Sequence, residues 1–197
     1  MTAEFPPSEA SRVVKRISEI LIERDETLAV SEAACGGLIS SYLVSVPGAS
    51  KWFHGGIMVY SLKSRLKLSG WNEQEIHDYT GPSVDVALRL ARNLKFELGA
   101  TYTLSETGYA SRSPMLKPTE SEQSVGTVYY GASGPDEDVS STYSTESEDR
   151  CHNMQQFAIH GLEFLLEQLE KKCHAPETES DNDAEEPDCK KPKIDKV

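Results

Sequence analysis

The stretch 27–43 constrains the fold most, because it predicts a strand, a tight turn and a helix in immediate succession. It opens with a β-branched and apolar run, passes through small residues and the pair Gly36-Gly37, and resumes with apolar residues at helical spacing. Glycines let a backbone approach a ligand closely, and the free N–H groups that begin a helix form an anion site. The stretch therefore predicts a ligand-holding loop, although glycine pairs also serve simple turns.

Strand-like and helix-like segments alternate along the rest of the chain. Strands are predicted at 28–30, 57–61, 102–105, 125–132 and 139–144. Helices are predicted from Ser8, as N-cap, through Leu21, and at 38–46, 62–68, 72–77, 84–98 and 147–171. This alternation predicts an α/β fold, a three-layer α/β/α sandwich around a mostly parallel sheet, with ligands at the strand ends.

Composition separates one domain from a tail. A chain of 197 residues with 38% hydrophobic content is long enough for one core, and we assign the domain to 8–172. Residues 173–197 are polar and mostly acidic, so we predict a disordered tail. Its basic end, from Lys190 to Lys193, resembles a nuclear-import signal, and a solvated tail is the alternative.

The net charge of −12 argues against a surface for DNA, RNA or an anionic membrane, which requires clustered basic residues. No apolar run approaches the roughly 20 residues of a membrane span, and the N-terminus lacks the features of a signal peptide. We therefore expect a cytoplasmic or nuclear protein. The cysteines have no metal-type spacing, so we expect free thiols, no metal and no cofactor.

Several further segments follow the glycine loop in a fixed order. They are Val46-Pro47-Gly48-Ala49-Ser50, the run from Trp52 through Gly55-Gly56 to Tyr60-Ser61, Leu68-Ser69-Gly70, Glu106-Thr107-Gly108 and Val125-Gly126-Thr127-Val128. In this order and at these intervals, the segments resemble the CinA C-terminal domain family, the competence/damage-inducible proteins whose characterised members are nicotinamide-mononucleotide amidohydrolases. The resemblance covers roughly residues 8–170. It implies the fold above and assembly into a homo-oligomer.

The resemblance also implies a Ser–Lys amidase, from which this chain departs. In active members the loop is Glu-Ser-Cys-Thr-Gly-Gly, its Ser attacks the carboxamide carbon of the nicotinamide ring, and a downstream Lys acts as base. The Ser position falls on Ala33, which has no nucleophile. The Tyr-Ser-x-x-x-Lys motif puts Arg65 at the Lys position, and arginine stays protonated. Both catalytic side chains are therefore absent from their expected positions.

The parts that bind ligand in the family are better preserved. Thr107-Gly108 matches the start of the family's Thr-Gly-x-Ala-Gly-Pro motif, although the glycine-rich continuation is absent. Arg150 matches an Arg near the start of the last helix, where it can meet a phosphate or carboxylate or pair with the acidic segment 146–149. The resemblance thus implies these candidate ligand-binding residues: Glu32, Cys35, Gly36, Gly37, Tyr60, Arg65, Thr107, Gly108 and Arg150.

Three functions are compatible with the sequence. The first is a binding or regulatory pseudoenzyme for a small anionic, nucleotide-like ligand. The second is a nicotinamide-mononucleotide deamidase, or a related amidase, whose nucleophile is displaced to Cys35 or Ser31, with Lys63 as a substitute amine. The third is an interaction module that binds a protein partner through the tail and the loop 109–124.

Overall fold

The computed structural model describes residues 4–112 and 125–173. The helices are α1 (Ser8–Glu23), α2 (Leu38–Val44), α3 (Leu62–Leu68), α4 (Glu73–His77), α5 (Val84–Leu98) and α6 (Arg150–Cys173), with a 3₁₀ turn at Ala49–Lys51. The strands are β1 (Leu28–Glu32), β2 (Phe53–Met58), β3 (Tyr102–Gly108), β4 (Thr127–Ser133) and β5 (Asp138–Ser144).

The strands form one mixed sheet in the order β2-β1-β3-β4-β5. Strand β1 pairs in parallel with β2 and β3, whereas β4 pairs antiparallel with both β3 and β5. Four strands therefore share one direction and β4 runs against them. The α/β fold is confirmed. The sheet is mixed, with two parallel and two antiparallel pairings, and the predicted alternation did not reveal the antiparallel ones.

Helices cover both faces of the sheet. Leu28 and Val30 pack into a core with α1, α2 and α6, whereas Ala29 packs against Leu94 of α5. The alternation follows from the strand geometry, in which successive side chains point to opposite faces. Because β1 and β3 are parallel neighbours, their carboxyl ends, at Glu32 and Gly108, meet at the same edge of the sheet.

Some predicted boundaries are wrong. Strand β2 spans Phe53–Met58, so the Gly55-Gly56 pair lies within the strand instead of before it. A Cβ on Gly56 would collide with the Ser40 hydroxyl, so this glycine allows β2 to lie close to α2. Pro7, and not Ser8, is the N-cap of α1.

Other helices agree closely with the sequence. The bounds of α3 and α5 are those predicted, and a serine caps each of them. The predicted loop 109–124 is described only as far as Arg112, and the predicted tail only at Cys173, where α6 ends. Within the described ranges, no helix combines the length and the apolar character that crossing a membrane requires.

Candidate functional site

The loop after β1 wraps around a buried carboxylate from β3. Glu106 is fully buried, and its Oε1 accepts hydrogen bonds from the backbone N–H groups of Ala33 and Cys35 at 2.6 and 2.8 Å. Its Oε2 accepts one from Ala34 N–H at 3.1 Å. Successive N–H groups of this kind form an anion-binding nest. The chain therefore fills the loop's anion site with its own side chain.

Glu32 occupies the start of α2 in the same way. Its Oε2 accepts hydrogen bonds from the N–H groups of Gly37 and Ile39, at 2.9 and 3.1 Å. Its Oε1 accepts from the backbone N–H and the hydroxyl of Ser40, at 2.8 and 2.6 Å. A negative charge is favourable where unsatisfied N–H groups begin a helix. Glu32 thus stabilises the loop-to-helix junction, and this junction offers its N–H groups to no outside anion.

The electrostatics of this loop differ from those of an activated nucleophile. Burial raises the pKa of the Glu106 carboxyl to about 7, a rise that its backbone N–H bonds oppose and the Glu32 carboxylate reinforces. The Cys35 thiol is fully buried, and burial followed by the charges of Glu106 and Glu32 raises its pKa well above the usual value. A thiol must lose its proton to attack, so Cys35 is an inert core thiol at neutral pH.

Among the residues that the structure describes, Glu32, Cys35 and Glu106 also form the one group with metal-ligand chemistry, their ligand atoms lying within 4.8 Å of one another. All four carboxylate oxygens already accept hydrogen bonds from the loop and from α2. A metal ion would have to displace these bonds. The group is therefore better suited to holding the loop in place than to binding a cation.

An open cleft of about 790 Å³ lies at the edge of the sheet where β1 and β3 end. This volume falls within the range of small-molecule sites. The charged side chains that line it, within the described ranges, are the arginines Arg65, Arg112 and Arg150. The remaining lining residues are small, apolar or hydroxyl-bearing, and include Ala33, Ala34, Tyr60, Tyr79, Thr107, Gly108, Tyr109 and Ser111. The cleft is therefore suited to an anion.

Arg65 forms part of the inner wall and is only 3% exposed. Its Nε donates to the carbonyl oxygen of Val59 at 3.2 Å, and its Nη2 donates to Thr107 Oγ1 at 3.1 Å. The guanidinium carbon lies 4.9 Å from the ring centre of Tyr79 and 5.5 Å from that of Trp71, within cation–π range. Its Nη1 is buried and has no hydrogen-bond partner among the described residues.

Arg150 lies at the exposed mouth of the cleft, in the first turn of α6. Its Nη1 donates to Ser111 Oγ at 2.7 Å and its Nη2 to the Tyr60 hydroxyl at 3.2 Å. Arg112 is also exposed and pairs with Glu148 at 3.6 Å. Arg150 therefore has neutral partners in this arrangement, although the sequence also allowed it a role in balancing the acidic segment 146–149.

The structure brings together only some of the residues that the sequence singled out. Ala33, Tyr60, Arg65, Thr107, Gly108 and Arg150 line the cleft. Glu32, Cys35, Gly36 and Gly37 do not: they shape the loop behind it, and both glycines adopt positive φ angles, 66° and 100°. These positions have a backbone conformation that favours glycine.

The substitute catalytic groups also lie elsewhere. Ser31 is fully buried, and alternation along β1 places its side chain on the α5 side of the sheet with Ala29. Lys63 is exposed on α3 and does not line the cleft. Within the described ranges, the lining residues include no amine, imidazole, thiol or carboxylate.

Sequence reasoning missed several residues of this region. Glu106 was visible as an acidic residue inside a buried strand, yet only the fold shows that its carboxylate meets the loop. Tyr79 and Gly81 reach the cleft from the segment between α4 and α5. A side chain on Gly81 would meet the Tyr109 hydroxyl, which explains the glycine there.

Comparison with known proteins gives a consistent assignment. The family model of the CinA C-terminal domain matches residues 10–169. A CinA-like protein of Frankia casuarinae is 37% identical over 117 residues, 59% of this chain and 26% of that protein. A CinA-like protein of Myxococcus xanthus is 35% identical over 153 residues, 78% of this chain and 35% of that protein. The chain thus spans about a third or less of the length of these relatives.

Solved structures agree in fold. A competence/damage-inducible protein of Agrobacterium tumefaciens superposes with a TM-score of 0.75 and 19% identity, covering 86% of this chain and 99% of that one. One from Enterobacter asburiae gives a TM-score of 0.72 and 19% identity, covering 81% of this chain and 98% of that one. With the family model covering most of its length, the chain belongs to the CinA C-terminal domain family.

Proposed function

We propose that this chain is a binding or regulatory protein that holds a small anionic, nucleotide-like ligand in the cleft and lacks the amidase chemistry of active relatives. One observation carries the proposal: in a chain of net charge −12, the charged side chains that line the cleft among the described residues are all arginines. A local cationic site in an acidic protein concentrates anions at that one place.

The two ends of the cleft suit different parts of such a ligand. At the exposed mouth, Arg150 and the Ser111 hydroxyl lie 2.7 Å apart and present donors to a hydrated phosphate. The aromatic rings of Tyr60 and Tyr79 line the walls and offer surfaces on which a heterocycle can stack. The buried Arg65 lies at the inner end.

The catalytic positions support binding without turnover. Ala33 lines the cleft where the family's nucleophile is expected, and a methyl group cannot attack a carboxamide. Arg65 stands where the base is expected, and its guanidinium does not release a proton at neutral pH. Loss of the nucleophile in a serine protease costs on the order of 10⁶ in turnover.

Calorimetric titration with nicotinamide mononucleotide and nicotinate mononucleotide tests the proposal. Saturable binding of at least one nucleotide is expected, and Arg150→Gln should weaken it about tenfold or more, because an arginine–phosphate pair is charge-assisted. Arg12→Gln removes an exposed charge on α1, outside the cleft, and should leave the dissociation constant unchanged. Failure of wild-type protein to bind either nucleotide would refute the proposal.

The other predicted functions are tested separately. The deamidase with a displaced nucleophile has no supporting contact in the cleft, since neither Ser31 nor Cys35 lines it. The interaction module involves the tail, which stays a prediction, and truncation after Lys172 should abolish partner capture if it is correct. The homo-oligomer expected from the resemblance is checked by light scattering.

A further inference from the structure

Among residues 4–112 and 125–173, the buried guanidinium of Arg65 has no anionic partner. Its hydrogen bonds go to a carbonyl and a hydroxyl, both neutral, and none of the ion pairs within these ranges includes it. The faces of Trp71 and Tyr79 stabilise the cation in part, but Nη1 has no acceptor in this part of the chain. A buried charge is costly unless it is paired and hydrogen-bonded. The buried charge of Arg65 therefore favours an anionic ligand at the inner end of the cleft.

The surrounding residues restrict which anion fits there. The N–H groups of Ala33 and Ala34, the two residues of this loop that line the cleft, are directed at Glu106, so neither donates to a ligand. The inner walls are the methyl groups of these alanines and the ring of Tyr79. Such surroundings suit a flat group with few lone pairs better than a hydrated, dianionic phosphate. A carboxylate on an aromatic ring has the required shape, and its two oxygens match the planar fork of a guanidinium.

We infer that the inner end of the cleft selects a heteroaromatic carboxylate and discriminates against the corresponding carboxamide. This inference rests on the proposed anion-binding function and specifies its ligand class. A carboxylate supplies a counter-charge and accepts hydrogen bonds from Arg65, whereas a carboxamide supplies no charge and brings an NH₂ group that faces another donor. Active relatives are expected to hydrolyse an amide at this position, whereas in this chain the inner end of the cleft binds the acid.

Entry of the carboxylate requires a local adjustment. Nη1 is shielded from solvent as well as unpartnered, so the carboxylate has to displace part of this shielding. The Tyr79 ring lies against the guanidinium and lines the cleft, and it is the side chain that we expect to move. It belongs to the short segment between α4 and α5, outside regular secondary structure.

The test compares nicotinate mononucleotide with nicotinamide mononucleotide, which differ only in the acid and amide groups. In calorimetric titrations of the full chain at pH 7.5, the acid should bind at least about tenfold more tightly, the usual value of a hydrogen bond to a charged group. Arg65→Gln should bring the two dissociation constants to within about twofold. Arg150→Gln should weaken both ligands by a similar factor and leave their ratio unchanged.

The outcomes separate this inference from the proposed function. Equal binding of acid and amide by wild-type protein would overturn the inference and leave the anion-binding function standing. Binding of neither would refute both. The wild-type ratio needs no variant, and Arg65→Lys, which keeps the charge and loses the fork, should give an intermediate ratio if Arg65→Gln fails to fold. An unchanged ratio in folded Arg65→Gln would also overturn the inference.

Discussion

Arg65 of α3 and Thr107 of β3 are joined by a hydrogen bond of 3.1 Å from Nη2 to Oγ1, at the inner end of the cleft. The Nε of the same guanidinium donates to the Val59 carbonyl. Two bonds to two separate partners hold the group in one orientation, as the planar geometry of arginine allows and the single ammonium of lysine does not. Arg65, at the position where the resemblance expects a Lys base, is therefore a fixed cation in the wall of the cleft.

Glu106 makes stability depend on pH. Its carboxyl has a pKa of about 7 in the folded protein, because burial outweighs three backbone N–H bonds, against an ordinary value of 4.5. Between these values the folded state retains a proton that the unfolded state has released, so the free energy of unfolding should fall as pH rises from about 4.5 to about 7. The loss is on the order of 3 kcal/mol.

Urea unfolding at pH 5 and pH 8 measures this effect. Other carboxyls also titrate, so the informative quantity is the difference between wild type and Glu106→Gln, which has no titrating group at this position. The wild-type protein should lose more stability between the two pH values than the variant loses. An identical pH dependence of the two proteins would contradict the assigned pKa.

Glu32 should be essential for the loop and α2. Glu32→Ala removes the acceptor of the N–H groups of Gly37, Ile39 and Ser40 and leaves them without a partner in or near the core. We expect the free energy of unfolding to fall by about 2–4 kcal/mol. Glu97→Ala, at an exposed position on α5, serves as the control and should change it by less than about 0.5 kcal/mol. Equal losses in the two variants would show that Glu32 is not a structural cap.

Cys35 should resist alkylation in the folded protein. It is fully buried, and the burial and neighbouring carboxylates raise its pKa, whereas Cys151 is exposed on α6. Iodoacetamide at pH 8, followed by peptide mass mapping, should modify Cys151 and leave Cys35 unmodified until the protein is denatured. Modification of Cys35 at the same rate as Cys151 would contradict the assignment of Cys35 as an inert core thiol.

Asn153 should position the mouth of the cleft. The buried side chain donates from Nδ2 to the carbonyl oxygens of Ala110 and Ser147, at 3.0 and 2.9 Å, and so connects α6 to a lining segment. Asn153→Asp replaces the donor by an oxygen, so we expect the free energy of unfolding to fall by about 2–3 kcal/mol. Because Arg150 lies in the same turn of α6, we also expect weaker nucleotide binding. Gln155→Glu makes the matched change at an exposed position and should have neither effect.

The sequence predicted those parts of the fold that local patterns determine. Helix α5 has an apolar stripe, a capping Ser83 and a terminal Gly99 with φ of 62°, and both its ends were predicted correctly. Strand β2 was misplaced because two consecutive glycines, which have low strand propensity, lie within it, and only Phe53 of its six residues is buried. The antiparallel direction of β4 depends on a connection that carries no comparable signal.

The site was only partly predictable for a related reason. The resemblance identified Tyr60 and Arg150, which lie 90 positions apart in sequence and meet through a hydrogen bond of 3.2 Å. It also assigned Glu32 to the ligand, although the carboxylate lies behind the loop. Whether a side chain on a loop or strand points towards the cleft or towards the core depends on sheet pairing and helix packing. Local sequence does not determine these.

The central claim is binding without amide hydrolysis, and a combined binding and turnover assay tests it most directly. Nicotinamide mononucleotide and nicotinate mononucleotide are each incubated in large excess over wild-type protein, and thermal unfolding and product formation are measured in the same samples. We expect the acid, at 100 times its dissociation constant, to add about 2.7 kcal/mol to the free energy of unfolding and so to raise the unfolding temperature. The amide should remain unconverted. Formation of nicotinate mononucleotide at an enzyme-like rate would contradict the account, because Ala33 and Arg65 provide neither nucleophile nor base.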